Sequence, residues 1–387
     1  MLIPVSDPSK QPVTLDTLRT RIDEVDRALV SLLNERAGLA AAIGDIKRAS
    51  GVAIYAPHRE AQVLAKVQAM SAGPLPPRAI EAIYREIMSS SFAIERGLQV
   101  AYLGPAGSFS HMAANKHFGA NAELQPAETI KGVFAAVARH ECEVGLVPVE
   151  NTHHGGVAET LDGFVQFAGS VFVQAEVQLA VRHVLAAACE PARITHVYSK
   201  PEVFAQCRAW LAENLPQAKL VPAASTSAAM KLVAERAGKQ ESTIAASNVQ
   251  EDVGGAAAIG SSLAAEMHGL PVLFDGIQDA SHNITRFYVI GEKPAQRSGD
   301  DKTSVMFKTD DTPGALARVL GDFERSGINL THIDKRPAGK AAWAYTFFLD
   351  ACGHDSEPGM QLAIERARQH CQEIVVLGGY PRSKRVL

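Results

Sequence analysis

Residues 15–50 read LDTLRTRIDEVDRALVSLLNERAGLAAAIGDIKRAS. Leu15, Leu18, Ile22, Val25, Leu29, Leu32, Arg36, Leu39, Ile43 and Ile46 recur at alternating spacings of three and four. That pattern is an apolar stripe along one helix, the a/d seam of a coiled coil. Ser50-Gly51 ends it. Pro57 fits the first turn of a second helix over about 57–71. The stretch GPLPP at 73–77 is a loop, and a third helix runs over about 78–96 up to Gly97. Residues 14–97 therefore form an all-helical unit, behind a polar, flexible tail at 1–13.

One seam position is a cation. Arg36 in an apolar stripe is costly unless its charge is paired. It either snorkels outward or bridges to Glu35 or another carboxylate, or it holds a ligand. Lys47 lies three turns further along the same stripe. At about 1.5 Å per residue, Arg36 and Lys47 are roughly 16 Å apart, within joint reach of one small ligand; Arg19 is about 25 Å from Arg36, too far. If Arg19 serves the same kind of site, a second chain supplies it. A long seam with no intramolecular partner of equal length asks for the same thing, an intertwined homodimer.

Beyond Gly97 the pattern changes. Residues 98–292 alternate short apolar strands with helical stretches, an α/β arrangement. Strands are expected at Gln99–Leu103, Val144–Val149, Val171–Val181, Thr195–Tyr198, Thr243–Ala246, Val272–Phe274 and Arg286–Ile290. Residues 292–303, EKPAQRSGDDKT, read as a polar linker. Residues 303–387 then follow the order βαββαβ, an α+β ferredoxin-like plan.

Composition narrows the function. The chain has 387 residues, enough for two to three domains at about 150 each. Its net charge is −4, with no basic stripe, which argues against nucleic acid. No apolar run approaches a membrane span, and MLIPVSDPSK at the N-terminus does not read as a secretory signal. The five cysteines are scattered and read as free thiols of a cytoplasmic protein. The 13 histidines form neither HxxxH nor HExxH, and no metal is expected.

Three central motifs carry chemistry. Tyr102-Leu103-Gly104-Pro105-Ala106-Gly107-Ser108-Phe109-Ser110 joins a strand to a helix and is either an anion-binding loop or a plain tight turn. Val147-Pro148-Val149-Glu150-Asn151-Thr152 ends a strand, where α/β sheets bind ligands, or forms an Asn-based cap. Asn283-Ile284-Thr285-Arg286-Phe287 opens a strand and leaves open a surface pair for Arg286. In the last segment, Asp311-Thr312-Pro313-Gly314-Ala315-Leu316 is a helix cap or a ligand-gripping turn.

These residues resemble known families. Leu18-Arg19, Ile22-Asp23, Asp26, Glu35-Arg36, Ile46-Lys47 and Arg59-Glu60 resemble the helical chorismate mutase domain over nearly all of 14–96. That resemblance implies that Arg36 and a partner chain's Arg19 bind the carboxylates of chorismate and that Lys47 bonds the ether oxygen. It implies that Arg59 and Glu60 position the ring and its hydroxyl, with Ser91 a further contact. Glu95 stands where other members carry Gln opposite the ether oxygen, so mutase activity should fall as Glu95 ionises with rising pH. Ala56 replaces an Asp of some members.

The central motifs, in order, resemble prephenate dehydratase over 99–291. The resemblance implies a two-lobed, periplasmic-binding-protein-like α/β fold with the site in the cleft. The chain would leave lobe 1 (98–173 and 275–292) for lobe 2 (174–274). Thr285 would assist the leaving hydroxyl, with Glu150 and Asn151 nearby. Gly107, Ser108, Ser199, Gln206, Arg286 and Phe287 would bind prephenate. The last segment, with Asn329-Leu330-Thr331, Arg336-Pro337 and Trp343, resembles the ACT sensing domain. Phenylalanine would bind between two such domains through Gly314, Ala315, Leu316, Asp334, Arg336 and Pro337. The family's Glu-Ser-Arg-Pro here reads Asp334-Lys335-Arg336-Pro337.

Together the three resemblances imply a bifunctional chorismate mutase–prephenate dehydratase family member that needs no cofactor and is regulated by phenylalanine. Two rival readings are a dehydratase whose helical domain only dimerises and a non-catalytic sensor.

Overall fold

The computed structural model describes residues 14–50, 53–95, 97–246, 255–280, 282–337 and 345–387, without the side chains of Arg48, Glu95 and 239–246. The helical unit is α1 (Leu15–Ser50), α2 (Pro57–Met70) and α3 (Pro77–Glu95). Pro57 starts α2, where its missing N–H costs no helical bond. α1 is 36 residues long, about 54 Å. Its first part, residues 15–35, is exposed throughout. Packing against α3 begins near Arg36 and buries Gly44.

Lobe 1 follows with β1 (Gln99–Leu103), α4 (Phe109–Phe118), β2 (Glu123–Ala127), α5 (Ile130–Ala138), β3 (Val144–Asn151), β4 (Gly155–Gly156), α6 (Ala158–Phe167) and β5 (Phe172–Ala180). The chain then crosses to lobe 2: β6 (Val184–Ala187), β7 (Ile194–Ser199), α7 (Pro201–Gln206), α8 (Arg208–Asn214), β8 (Lys219–Pro222), α9 (Thr226–Ala246), β9 (Gly255–Gly260), α10 (Ser262–Met267) and β10 (Val272–Asp275). It returns to lobe 1 as β11 (Ile284–Gly291). The lobe 1 sheet has the order β2-β1-β3-β11-β5, with β4 on β3; the lobe 2 sheet has the order β10-β6-β9-β7-β8.

The crossover corrects one expectation. Strand β5 pairs with β11 from Phe172↔Gly291 to Ala180↔Ile284, so lobe 1 extends to residue 180 rather than 173. β10 pairs with β6, so the return follows Asp275. The middle of β5 is buried on both faces. Thr243–Ala246 is the end of α9 rather than a strand. The helix-forming run before it carries the helix through these β-branched residues.

The last segment is β12 (Asp301–Lys308), α11 (Ala315–Arg325), β13 (Leu330–Pro337), β14 (Tyr345–Cys352), α12 (Pro358–Arg368) and β15 (Glu373–Pro381). Its antiparallel sheet, β13-β14-β12-β15, is ferredoxin-like. The expected linker is shorter than its polarity indicated. Asp301, Lys302 and Thr303 are the buried start of β12, and the Asp301 carboxylate accepts from the Ser298 hydroxyl at 2.6 Å. Trp343 and the tail at 1–13 lie outside the described residues.

Shared cores fuse the units. Tyr55 and Phe92 of the helical unit pack with Tyr102, Phe118 and Phe287 of lobe 1. Phe134, Phe164 and Tyr288 of lobe 1 pack with Met306, Phe348 and Tyr380 of the last domain. Among the described residues, no helix is long and apolar enough to cross a membrane.

Candidate active sites

In the helical unit, α1 and α3 bring Arg36 to Ser91. Arg36 Nη1 donates to Ser91 Oγ at 3.0 Å and to the Ile87 carbonyl at 3.4 Å. Lys47 Nζ donates to the Ile54 carbonyl at 3.0 Å, where the chain turns into α2. Glu60, in the first turn of α2, is half-buried. Burial pushes its carboxyl up to about 7, against the pull of Arg85 and Lys47. Near neutrality it therefore exists partly as an O–H donor. Arg59 is exposed, with Gln62 3.4 Å away. Arg19 is far from this group in its own chain and lies 3.6 Å from Asp16 in an exposed pair. The Glu95 side chain lies outside the described set.

Glu60 also lines a cavity of about 840 Å³ between α2, β5 and the C-terminal tail. Nearby, Tyr55 Oη and His117 Nε2 are 2.9 Å apart, and Arg85 donates to the His117 carbonyl at 2.7 Å. Burial, then Arg85, drives the His117 pKa down to about 3, so this junction holds a neutral imidazole.

The dehydratase-like cleft is organised by the register of two neighbouring strands. β3 and β11 pair Asn151 with Thr285 and Glu150 with Arg286. Successive strand residues face opposite sides, so each pair takes one face of the sheet. On the front, Asn151 Nδ2 donates to Thr285 Oγ1 at 2.9 Å and to Asn283 Oδ1 at 2.9 Å. Asn151 Oδ1 accepts from the backbone N–H groups of His153 and His154 at 2.9 and 3.2 Å. Those two donors fix which end of the amide is which. Thr285 thus accepts from Asn151 and keeps its own proton for donation.

Gln206 joins this group from lobe 2. Its Oε1 is 2.7 Å from His183 Nε2 and accepts from Asn283 Nδ2 at 3.3 Å; its Nε2 is 2.8 Å from His154 Nε2. Burial lowers the His183 pKa, against a rise from its bond to Gln206.

Several expected residues lie elsewhere. Arg286 and Glu150 face the back of the sheet as an ion pair at 3.3 Å, because strand alternation turns them away from Thr285. Ser199 is fully buried, and its hydroxyl donates to the Ile259 carbonyl at 2.8 Å. Phe287 is a core residue of lobe 1. Ser108 caps α4, accepting from His111 N–H at 3.2 Å. Gly107 has φ +80°, and a Cβ there would press on Ala264 and Ser227 of lobe 2. Its loop is pinned across the cleft by Ser227 to the Ala106 carbonyl and by Ser261 to the Gly107 carbonyl at 2.6 Å.

Sequence reasoning overlooked His154, His183 and Asn283 as cleft residues. His183 interrupts an apolar run in the sequence, and a polar side chain in such a run is a usable signal.

In the last domain, Gly314 is left-handed at φ +78° and precedes α11 as its N-cap, while Ala315 is buried and Leu316 packs partly buried against the domain's core. Asp334 lies against Gly156 of lobe 1, where a Cβ would collide with its carboxylate. Arg336 forks onto Asp162 of α6 at 2.8 and 2.7 Å. Pro337 ends β13, the outer strand of the sheet.

These features define a two-lobed α/β cleft domain joined to a three-helix domain and a ferredoxin-like domain. Residues 100–295 match the prephenate dehydratase family, 18–96 chorismate mutase type II, and 303–368 the ACT domain. A bifunctional chorismate mutase/prephenate dehydratase of Aquifex aeolicus is 38% identical over 376 residues, covering 95% of this chain and 98% of its own. One from Stutzerimonas stutzeri is 37% identical with the same coverage. The structure of prephenate dehydratase in complex with L-Phe from Arthrobacter aurescens is 30% identical with a TM-score of 0.64, covering 74% of this chain and 90% of that one.

The chain belongs to the bifunctional chorismate mutase/prephenate dehydratase family. It joins an isomerase domain and a carbon–oxygen lyase domain to an ACT domain.

Proposed function

We propose that the helical domain rearranges chorismate in a homodimer, with Arg36, Lys47, Arg59, Glu60 and Ser91 of one chain and Arg19 of the partner subunit. The rearrangement needs no covalent help. Holding a folded dianion and stabilising charge on the breaking C–O bond suffices. Forked Arg suits carboxylates, and a compact Lys charge suits the ether oxygen. The dimer reading rests on the exposed seam: Leu15, Leu18, Ile22, Val25, Leu29 and Leu32 are each 45% or more exposed. A stripe of that length marks an interface.

In the cleft, Thr285 donates a hydrogen bond to the departing hydroxyl of prephenate as CO₂ leaves and the ring aromatises. Asn151 holds Thr285, and Gln206 and Asn283 complete the polar wall. The fixed Asn151 amide is the observation that carries this reading. Phenylalanine formed downstream binds at the ACT domain through the turn at Gly314–Leu316 and the strand at Asp334–Pro337, lowering dehydratase turnover. The L-Phe complex of the Arthrobacter aurescens relative supports that effector. The five free thiols suit a cytoplasmic setting.

The test is phenylpyruvate formation from chorismate and, separately, from prephenate, with and without phenylalanine. Turnover of both, suppressed by phenylalanine, is expected. Turnover of prephenate alone would reduce the helical domain to a dimerising role. An unchanged rate with phenylalanine would remove the feedback reading.

A further inference from the structure

The back of the β3/β11 pair is bolted to the ACT domain by buried charge. Arg286 Nη1 lies 2.5 Å from Asp350 Oδ2 on β14 and 3.2 Å from Glu176 Oε2 on β5. Its Nη2 lies 3.3 Å from Glu150. Asp350 also accepts from the Ser304 hydroxyl at 2.6 Å and the Tyr288 hydroxyl at 2.8 Å. Lys302 of β12 donates to Glu176 at 2.7 Å. Asp350, Glu176 and Arg286 are each less than 10% exposed, so these contacts escape solvent screening.

The arrangement is incompletely satisfied. Arg286 Nε and Nη2 have no hydrogen-bond partner in good geometry among the described residues. The guanidinium is therefore tied through Nη1 to both its own lobe and the ACT domain, with part of its donor capacity unused. The expected effector strand touches the same region. Asp334 lies against Gly156, and Gly156 pairs with Glu150. Arg336 grips Asp162. β13 and β14 are neighbours in the ACT sheet.

We infer that Arg286 is a positioning residue: through Asp350 it lets the docked ACT domain set the placement of Thr285, one residue away on the opposite face of β11. The inference rests on the reading of Thr285 given above. Dehydratase turnover then depends on ACT docking, and a shift of β13 or β14 reaches the cleft through Glu150 and Arg286 without touching substrate.

The experiment uses the full chain and four variants. Thr285→Ala first tests the cleft: undiminished turnover would sink the Thr285 reading itself. With that variant impaired, Asp350→Asn is expected to lower the dehydratase kcat about 10-fold with KM within about twofold, and to leave mutase turnover unchanged. Asp350→Glu, which keeps the charge, should recover part of the kcat. Asp350→Asn with wild-type kcat and only a lower melting temperature would overturn the inference, since a structural tie predicts that result. Should Asp350→Asn fail to fold, Glu150→Gln decides by the same kcat-against-KM split, because Glu150 is partly exposed and its loss is milder.

Discussion

The sites proposed for the mutase and dehydratase domains are built by opposite routes. The dehydratase cleft is assembled within one chain: Asn151, Asn283 and Thr285 from lobe 1 meet Gln206 and His183 from lobe 2. The residues proposed for the mutase site are gathered only in part. Arg36, Ser91, Lys47 and Glu60 surround the end of α1 that packs on α3, while Arg19 sits on the exposed end. The difference follows from architecture. A βαβ chain returns on itself and brings distant segments to one strand edge. A single long helix separates its residues along one axis, so in the proposed dimer a second copy closes the site.

The largest effect expected is on the cleft. Thr285→Ala should lower dehydratase turnover about 100-fold or more, in line with loss of a donor at a developing charge, with mutase turnover intact. A parallel loss of both activities would erase the contrast between the domains. Next, Ile22→Lys with Leu29→Lys should separate the helical domains. Mutase turnover should drop about 10-fold or more while dehydratase turnover on prephenate stays within about twofold, with sedimentation reporting the change in mass. Asn151→Ala removes the fixed donor and should lower dehydratase kcat about 10-fold, near the value of one net hydrogen bond.

The smallest effect is one of pH. The Glu60 carboxyl is raised to about 7, so its O–H donor is present below that pH and lost above it. Mutase turnover should fall severalfold from about pH 6 to 8, and Glu60→Gln should flatten the profile. A slope that persists in Glu60→Gln would assign the titration to another group, Glu95 being the first to examine.

The elements were readable where local pattern and packing agree. The 3-4 repeat of α1 and the βαββαβ order of the ACT domain follow from periodicity. The boundary at 173 was misplaced because β5 is decided by its partner β11, far along the chain, which no local window contains. The motifs at 147–152 and 283–287 pointed to the right strands, yet the sequence did not divide their residues between faces. Knowing that Asn151 lies opposite Thr285 takes the register, and the register places Glu150 and Arg286 against the ACT domain. Ser199 shows the same limit: a polar residue at a strand end can be fully buried on a carbonyl.

The claim that two chains complete each mutase site is tested most directly by complementation. Arg19→Ala and Arg36→Ala variants of the full chain are purified, shown inactive as mutases, then mixed and allowed to exchange subunits. A mixed dimer would carry one site with both arginines, so statistical mixing predicts recovery of about a quarter of wild-type mutase turnover, with dehydratase turnover constant throughout. Recovery no greater than the sum of the separate variants would contradict a site shared across the dimer.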